Sequence, residues 1–201
     1  MKLYHFPFGP NPRKVRVYIA EKGFSIDYEE LDLSKGENRT PAFLAKNPMG
    51  SLPVLALDDG SYLTESLAII EYLEELHPDP PMIGTTPRER ALTRELERLA
   101  EMSILSRMGR IFFNTSPVFP EEKQSRESAE QARAGLPNAL KIMNDRIGGN
   151  AFVAGARPTI ADCTLFAALE IGKVAGVNVG DEYPNLKRWH ESFSRRPSAR
   201  A

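Results

Sequence analysis

"SLPVLALDDGSYLTESLAIIEYLEELHPDPPMIG", residues 51–84, decides how the rest of the chain is read. "LPVLALDDG" and "SYLTE" are short apolar runs meeting at Asp59-Gly60, a dipeptide suited to a tight turn, so they predict a two-stranded hairpin. "ESLAIIEYLEELH" follows with Leu67, Ile70 and Leu73 or Glu74 at helical spacing. "PDPPMIG" then breaks the pattern with three prolines in four residues. A break of that composition commonly separates domains.

Upstream of the hairpin the elements are mixed. "KLYHF", residues 2–6, reads as a strand, and "NPRKVRVYIAEKG" as a helix with Val15, Tyr18 and Ile19 on its apolar face. Asn11 is a favoured N-cap, Pro12 fits the first helical position, and Gly23 is a natural stop. "FSIDYEELDL" reads as a second strand, and "GENRTPAFLAKNPMG" as loop and short helix. Downstream of the break only helices are predicted. Residues 88 to about 113 carry Leu92, Leu96, Leu99 and Ser103 as a stripe, and residues 121–147 carry Leu136, Leu140, Met143 and Ile147. Gly135 and Pro137 predict a kink in the second of these. "PTIADCTLFAALEIGKVAG" opens with Thr159 and Asp162 at capping-box spacing, and "PNLKRWHESFSRRP" is a last helix.

Composition narrows the function classes. The 201 residues are 41% hydrophobic and 26% charged, enough for a sizeable core, with a net charge of −1 that gives no overall field toward nucleic acid or acidic membranes. The single cysteine, Cys163, excludes an internal disulfide framework and fits a reducing compartment. No run approaches a membrane span, and the chain enters its first strand at once, so a cytoplasmic protein is expected. Cys163 lies in an apolar helix and reads as a small buried hydrophobe. His77 and His190 read as structural or surface residues.

Four stretches in order, "NPMGSLPVL", "LTESLAIIEYLEE", "GARPTIADCTLFAAL" and "YPNLKRWHESFSRRPSARA", resemble the cytosolic glutathione transferases, and the resemblance covers essentially the whole chain. It implies an α/β thioredoxin-like glutathione-binding domain at 1–78, a linker at 79–86, and an all-α domain at 87–201 that contributes an electrophile site. It implies glutathione as co-substrate with no metal, and partners limited to glutathione and a small hydrophobic electrophile, without nucleic acid or membrane. A homodimer built partly on the long helix at 88–113 is also implied.

The resemblance assigns residues. The Leu52-Pro53 bond is cis in this family, which leaves the backbone of Leu52, next to Ser51, to pair with the cysteinyl backbone of glutathione like an added strand. Glu65 and Ser66, at a helix start, suit the γ-glutamyl ammonium and carboxylate. Asn38 and Arg39 stand where relatives hold the glycine carboxylate. In "FPFGPNPRKV" there is no Cys, Ser, Thr or Tyr to activate the thiol. Pro10-Asn11 stand where beta-like members carry Cys and Ser, and match a Thr-Pro-Asn pattern of bacterial nu-like members with Gly9 in place of Thr. Asn11 is therefore the candidate thiol partner, donating through Nδ2 without accepting the proton. His5, a base near neutral pH, and Tyr4 are the alternatives. Phe8, Met108, Phe112 and Phe113 are candidates for the electrophile site, with core packing as the other fate of such residues. The activity implied is conjugation of glutathione thiolate to an apolar electrophile. Disulfide reduction or peroxidase chemistry of nu-like type, and a non-catalytic glutathione-binding scaffold, are the rival readings.

Overall fold

Strand β1 (Lys2–His5) places alternate side chains on opposite faces of a sheet, and that alternation organises the first part of the chain. The computed structural model describes residues 1–201. Helix α1 (Pro10–Lys22) carries the chain from β1 to β2 (Asp27–Glu30), which lies parallel to β1. After two short 3₁₀ turns and α2 (Pro41–Leu44), β3 (Val54–Ala56) returns antiparallel to β1, and β4 (Tyr62–Leu63) pairs antiparallel with β3. The sheet order is β2-β1-β3-β4, and α3 (Ser66–Leu76) follows. Leu3 packs on the face covered by Val15, Tyr18 and Ile19 of α1 and by Ile69, Ile70 and Leu73 of α3. Tyr4 points the other way, into a small core with Leu31, Phe43 and Val54. Full burial of each Leu- or Ile-sized side chain contributes about 1.5–3 kcal/mol.

Beta-strand β2 is shorter than the sequence predicts. All four of its residues are exposed, and its carboxylates keep this edge in water. The hairpin is closed by Asp59, whose Oδ1 accepts from the backbone and hydroxyl of Ser61 at 2.8 and 2.6 Å.

The helical part comprises α4 (Pro87–Arg98), α5 (Ser106–Thr115), α6 (Arg126–Ala134), α7 (Leu136–Ile147), α8 (Ile160–Val174) and α9 (Pro184–Phe193). A π-helical segment, Leu99–Leu105, joins α4 to α5. It corrects the expected stripe: the buried seam runs through Leu96, Ala100, Ile104, Met108 and Ile111, while Leu92, Leu99 and Ser103 are only half-buried. Carbonyls loosened by the wider turn are met by side chains, Ser106 on Glu101 at 2.9 Å and Arg107 on Ser103 at 2.7 Å. The kink expected near Gly135 is the boundary between α6 and α7. Central α8 is buried on all sides from Ile160 to Leu169 and contains Cys163.

Buried charges tie the two parts together. Lys22 of α1 meets Glu74 of α3 at 2.8 Å and the Pro80 carbonyl at 2.7 Å. Glu74 also accepts from Tyr18 Oη at 2.7 Å and from the backbone of Met82 and Ile83, so the proline-rich segment is fastened to both helices. Fully buried Lys14 reaches Glu101 at 2.5 Å and Glu97 at 3.6 Å on the long helix. Burial pushes Glu97 up, and Lys14 holds Glu101 down against its own burial.

Candidate functional site

The end of β1, the start of α1 and the loop before β3 enclose a cleft of about 200 Å³, lined by Phe6, Gly9–Pro12, Leu33, Asn38 and Gly50–Leu52. Its loop wall is braced from below. Buried Asn47 donates to the Ser51 carbonyl and hydroxyl at 2.8 and 3.0 Å and accepts from Met49 N–H at 3.1 Å. Asn38 Nδ2 donates to the Gly50 carbonyl at 2.7 Å, and Arg39 Nη1 to the Met49 carbonyl at 3.1 Å. Gly50 has φ +62°, and a Cβ there would sit 2.8 Å from Arg39 Nη1, so only glycine fits. Asn38 is thus a brace on the cleft wall with one Nδ2 hydrogen spent on Gly50 and the other left over. Arg39 is exposed, with most of its guanidinium unengaged. The Leu52-Pro53 peptide bond is cis. Neither backbone group of Leu52 bonds to another group of the chain.

Helix α1 begins two residues earlier, relative to Pro12, than its prolines predict. Pro10 takes the first helical position, Gly9 is the N-cap, and Arg13 N–H makes the first helical bond, to the Gly9 carbonyl at 3.0 Å. Asn11 is therefore inside the first turn and is not the cap. Its side chain is left free for other work. Prolines at 7, 10 and 12 have no N–H, and Gly9 N–H is spent on the Phe6 carbonyl at 3.1 Å. The donors left in this stretch are the N–H groups of Phe8 and Asn11, and Asn11 Nδ2.

Beside the cleft, α3 also starts without a side-chain cap. Glu65, its N-cap, is the one non-glycine residue at positive φ, +65°. Holding a side chain there costs about 1–3 kcal/mol, and such strain concentrates at functional sites. The N–H groups of Ser66, Leu67 and Ala68 have no partner in the chain; the first helical bond runs from Ile69 to Glu65. Ser66 Oγ lies 3.5 Å from Asn11 Oδ1, at the limit of a hydrogen bond. That contact directs Asn11 Oδ1 toward α3 and leaves Nδ2 as the free donor. Two helix N-termini with unspent donors thus meet at Asn11, on the wall of the cleft, an arrangement suited to an anion.

The alternatives at β1 do not reach the cleft. Tyr4 is buried edge-on against Phe43, ring centroids 5.9 Å apart. His5 is buried edge-on to Tyr28 at 5.5 Å, and burial, together with the Arg16 charge, lowers its pKa. Of the residues expected at an electrophile site, Phe8 is 78% exposed beside Phe6 at the cleft rim. Met108 is fully buried against Gly172 of α8 and is core, because the π segment turns it into the seam. Phe112 and Phe113 do not line the cleft; they pack with Phe119, at 5.7 and 4.6 Å. His77 stacks on Phe24 at 4.1 Å, and His190 bonds Glu170 at 3.0 Å. Burial raises the thiol of Cys163 well above its ordinary range. Phe6, Leu33, Asn47 and Gly50 were not singled out in sequence; only the glycine, at a position needing positive φ, carried a local signal.

Comparison with known proteins agrees with this geometry. Residues 3–81 match the family model "Glutathione S-transferase, N-terminal domain", and residues 107–197 match "Glutathione S-transferase, C-terminal domain". The chain is 32% identical to glutathione S-transferase 2 of Saccharomyces cerevisiae, over 100% of this chain and 88% of that protein. It is 32% identical to the maleylacetoacetate isomerase of Pseudomonas aeruginosa, over 100% of this chain and 94% of the other. The crystal structure of Gtt2 from Saccharomyces cerevisiae superposes with a TM-score of 0.91 at 32% identity, covering 98% of both chains. A glutathione S-transferase domain-containing protein from Marinobacter aquaeolei superposes at 0.92 with 33% identity, covering 98% of this chain and 99% of that one. With a thioredoxin-like α/β part, an all-helical part and both family models matched in order, the chain belongs to the cytosolic glutathione S-transferase family.

Proposed function

We propose that this chain binds glutathione in the cleft between α1, α3 and the Ser51–Pro53 loop, and transfers its thiolate to an apolar electrophile. The observation that carries the reading is the pair of uncapped helix starts that meet beside the cleft, with Asn11 and Ser66 in contact. In this reading residues 1–78 are the glutathione-binding domain, 79–86 the linker, and 87–201 the helical domain. The γ-glutamyl carboxylate lies at Ser66 and the free N–H groups of α3, with Glu65 beside the ammonium. The cysteinyl backbone pairs with Leu52, and Arg39 faces the glycine carboxylate.

Free thiol titrates near 8.5, so little is thiolate at neutral pH. Lowering that by two units takes about 2.7 kcal/mol of preference for the anion. Asn11 Nδ2, the Asn11 and Phe8 N–H groups and the start of α1 are of that order together. None of them takes the proton, which leaves to solvent as the thiolate forms. Phe8 offers the electrophile an apolar surface at the rim. We further propose a cytoplasmic homodimer using part of the long helix; a light-scattering mass of one chain overturns the dimer.

The test is ultraviolet titration of bound glutathione in wild type and Asn11→Ala. The wild-type thiolate should appear well below pH 8.5, with its midpoint moved up by about one unit in the variant. A shift equal in both assigns the sulfur to backbone donors alone. Turnover of an aryl halide supports conjugation; turnover confined to a glutathione mixed disulfide supports reduction instead. The isomerase relative supports a second reading, isomerisation of a small substrate in place of net conjugation.

A further inference from the structure

Arg16, on α1, donates through Nη2 to the Pro7 carbonyl at 2.7 Å. The bond is unusual in its setting. Arg16 forms no ion pair, and its Nε is buried without a partner. Buried His5, with Nδ1 also unpartnered, is close enough for the guanidinium charge to disfavour its protonation. Glu30 acts on that cation only from beyond ion-pair distance, so placing it there is costly, and one bond to a surface turn does not offset that cost.

The geometry of the peptide group gives the bond a purpose. Pro7 C=O and Phe8 N–H belong to one planar peptide unit, and in a trans unit they point in opposite directions. The Pro7-Phe8 bond is not among the cis bonds of the chain. Drawing the carbonyl inward to Arg16 therefore turns the Phe8 N–H outward. Phe6 and Gly9, on either side of that unit, both line the cleft. The Phe8 N–H is also one of only two backbone donors left unspent between residues 7 and 12.

We infer that Arg16 is a positioning residue, which locks the Pro7–Phe8 peptide plane so that Phe8 N–H joins Asn11 as a donor to the glutathione sulfur. The inference rests on the transferase reading above and deepens it. Arg16 touches no reacting atom; it acts through the peptide unit it orients.

Arg16→Met keeps the length of the side chain and removes every donor, while Arg16→Lys keeps one. In Arg16→Met the bound-thiol midpoint should rise by about one unit and kcat with an aryl halide fall about tenfold. KM for glutathione should stay within about threefold, because the groups at Leu52, Glu65 and Ser66 are untouched. Arg16→Lys should recover most of the thiol shift. A merely structural tie would lower Tm in Arg16→Met and leave both midpoint and kcat at wild-type values, and that result overturns the proposal. In ¹⁵N-labelled wild type, which needs no variant to fold, the Phe8 amide proton should move downfield on saturation with glutathione. An unmoved Phe8 amide beside a shifted Asn11 signal overturns the proposal and leaves the transferase reading intact. Wild type that binds glutathione without any thiol shift overturns both.

Discussion

The start of α8 and the starts of α1 and α3 solve the same problem in opposite ways. Each helix leaves backbone N–H groups without helical partners at its N-terminus. At α8 the chain supplies its own acceptors. Asp162 takes the Thr159 N–H and hydroxyl on one oxygen, at 2.8 and 3.0 Å, and Val153 N–H and Trp189 Nε1 on the other, at 2.9 and 2.8 Å. Nothing there is exposed, and burial raises the Asp162 pKa to about 6. At α1 and α3 the N-caps are Gly9 and Glu65, neither with a side-chain cap; the start of α1 lines the cleft, and α3 meets it through the Ser66–Asn11 contact. The start of α8 is closed within the fold, with the Ile160 N–H on the Met82 carbonyl and the Thr159–Asp162 pair fixing the turn before it. A helix start that serves a ligand is left unfinished, and the loop facing it is held in position by Asn47 and Asn38.

That contrast predicts opposite consequences for deleting one acceptor or one hydroxyl. Asp162→Ala strands four buried donors and should lower stability by about 3–5 kcal/mol, read as a drop in the urea midpoint. Glutathione affinity of the fraction that stays folded should be unchanged. Ser66→Ala removes one ligand-facing hydroxyl and should weaken glutathione about 10-fold, with stability altered by less than about 1 kcal/mol. If Asp162→Ala is mild, or Ser66→Ala chiefly lowers Tm, the distinction between closed and open starts fails.

Much of this was legible in the sequence because the signals were local. Thr159 and Asp162 stand at capping-box spacing, and Asp59-Gly60 marks the hairpin, so both structures follow from nearest neighbours. Glu65 and Ser66 were legible as a helix start, but not the positive φ of Glu65, since nothing in its side chain requires it. Asn11 was misread by position because Pro10 and Pro12 each satisfy the first helical site; the choice is made by the Gly9 carbonyl meeting Arg13 N–H. The π segment was invisible because Leu99–Leu105 contains no Gly or Pro, and its register is set by packing of Ala100, Ile104 and Leu105. Met108 moved from expected pocket to core for that reason. Asn38 carried the right chemistry, but Gly50, twelve residues away, takes one of its amide hydrogens.

The closed helix packs along α1 and forms one ion pair with it, and the smallest effect is expected there. Glu170, near the C-terminal end of α8, lies 3.7 Å from Arg13 of α1, 2.6 Å from Lys173 and 3.0 Å from His190. An acid near a helix C-terminus is disfavoured by the dipole, so the two cations and the bond to the imidazole supply what holds it ionised. The bond to His190 leads, with Lys173 and Arg13 adding to it, and the Glu170 pKa falls to about 2. Because the folded-state value lies below the unfolded one, near 4.3, its stabilisation is fully present above about pH 4.3 and is lost as pH falls toward 2. Screening by solvent reduces the contribution to about 1 kcal/mol at neutral pH. Glu170→Gln should therefore be about 1 kcal/mol less stable than wild type at pH 7, with the two denaturation curves converging as pH falls below about 4. The thiol midpoint of bound glutathione should not move. If it does, Arg13 transmits the state of α8 to Asn11 two residues away, and the two kinds of helix start are parts of one device.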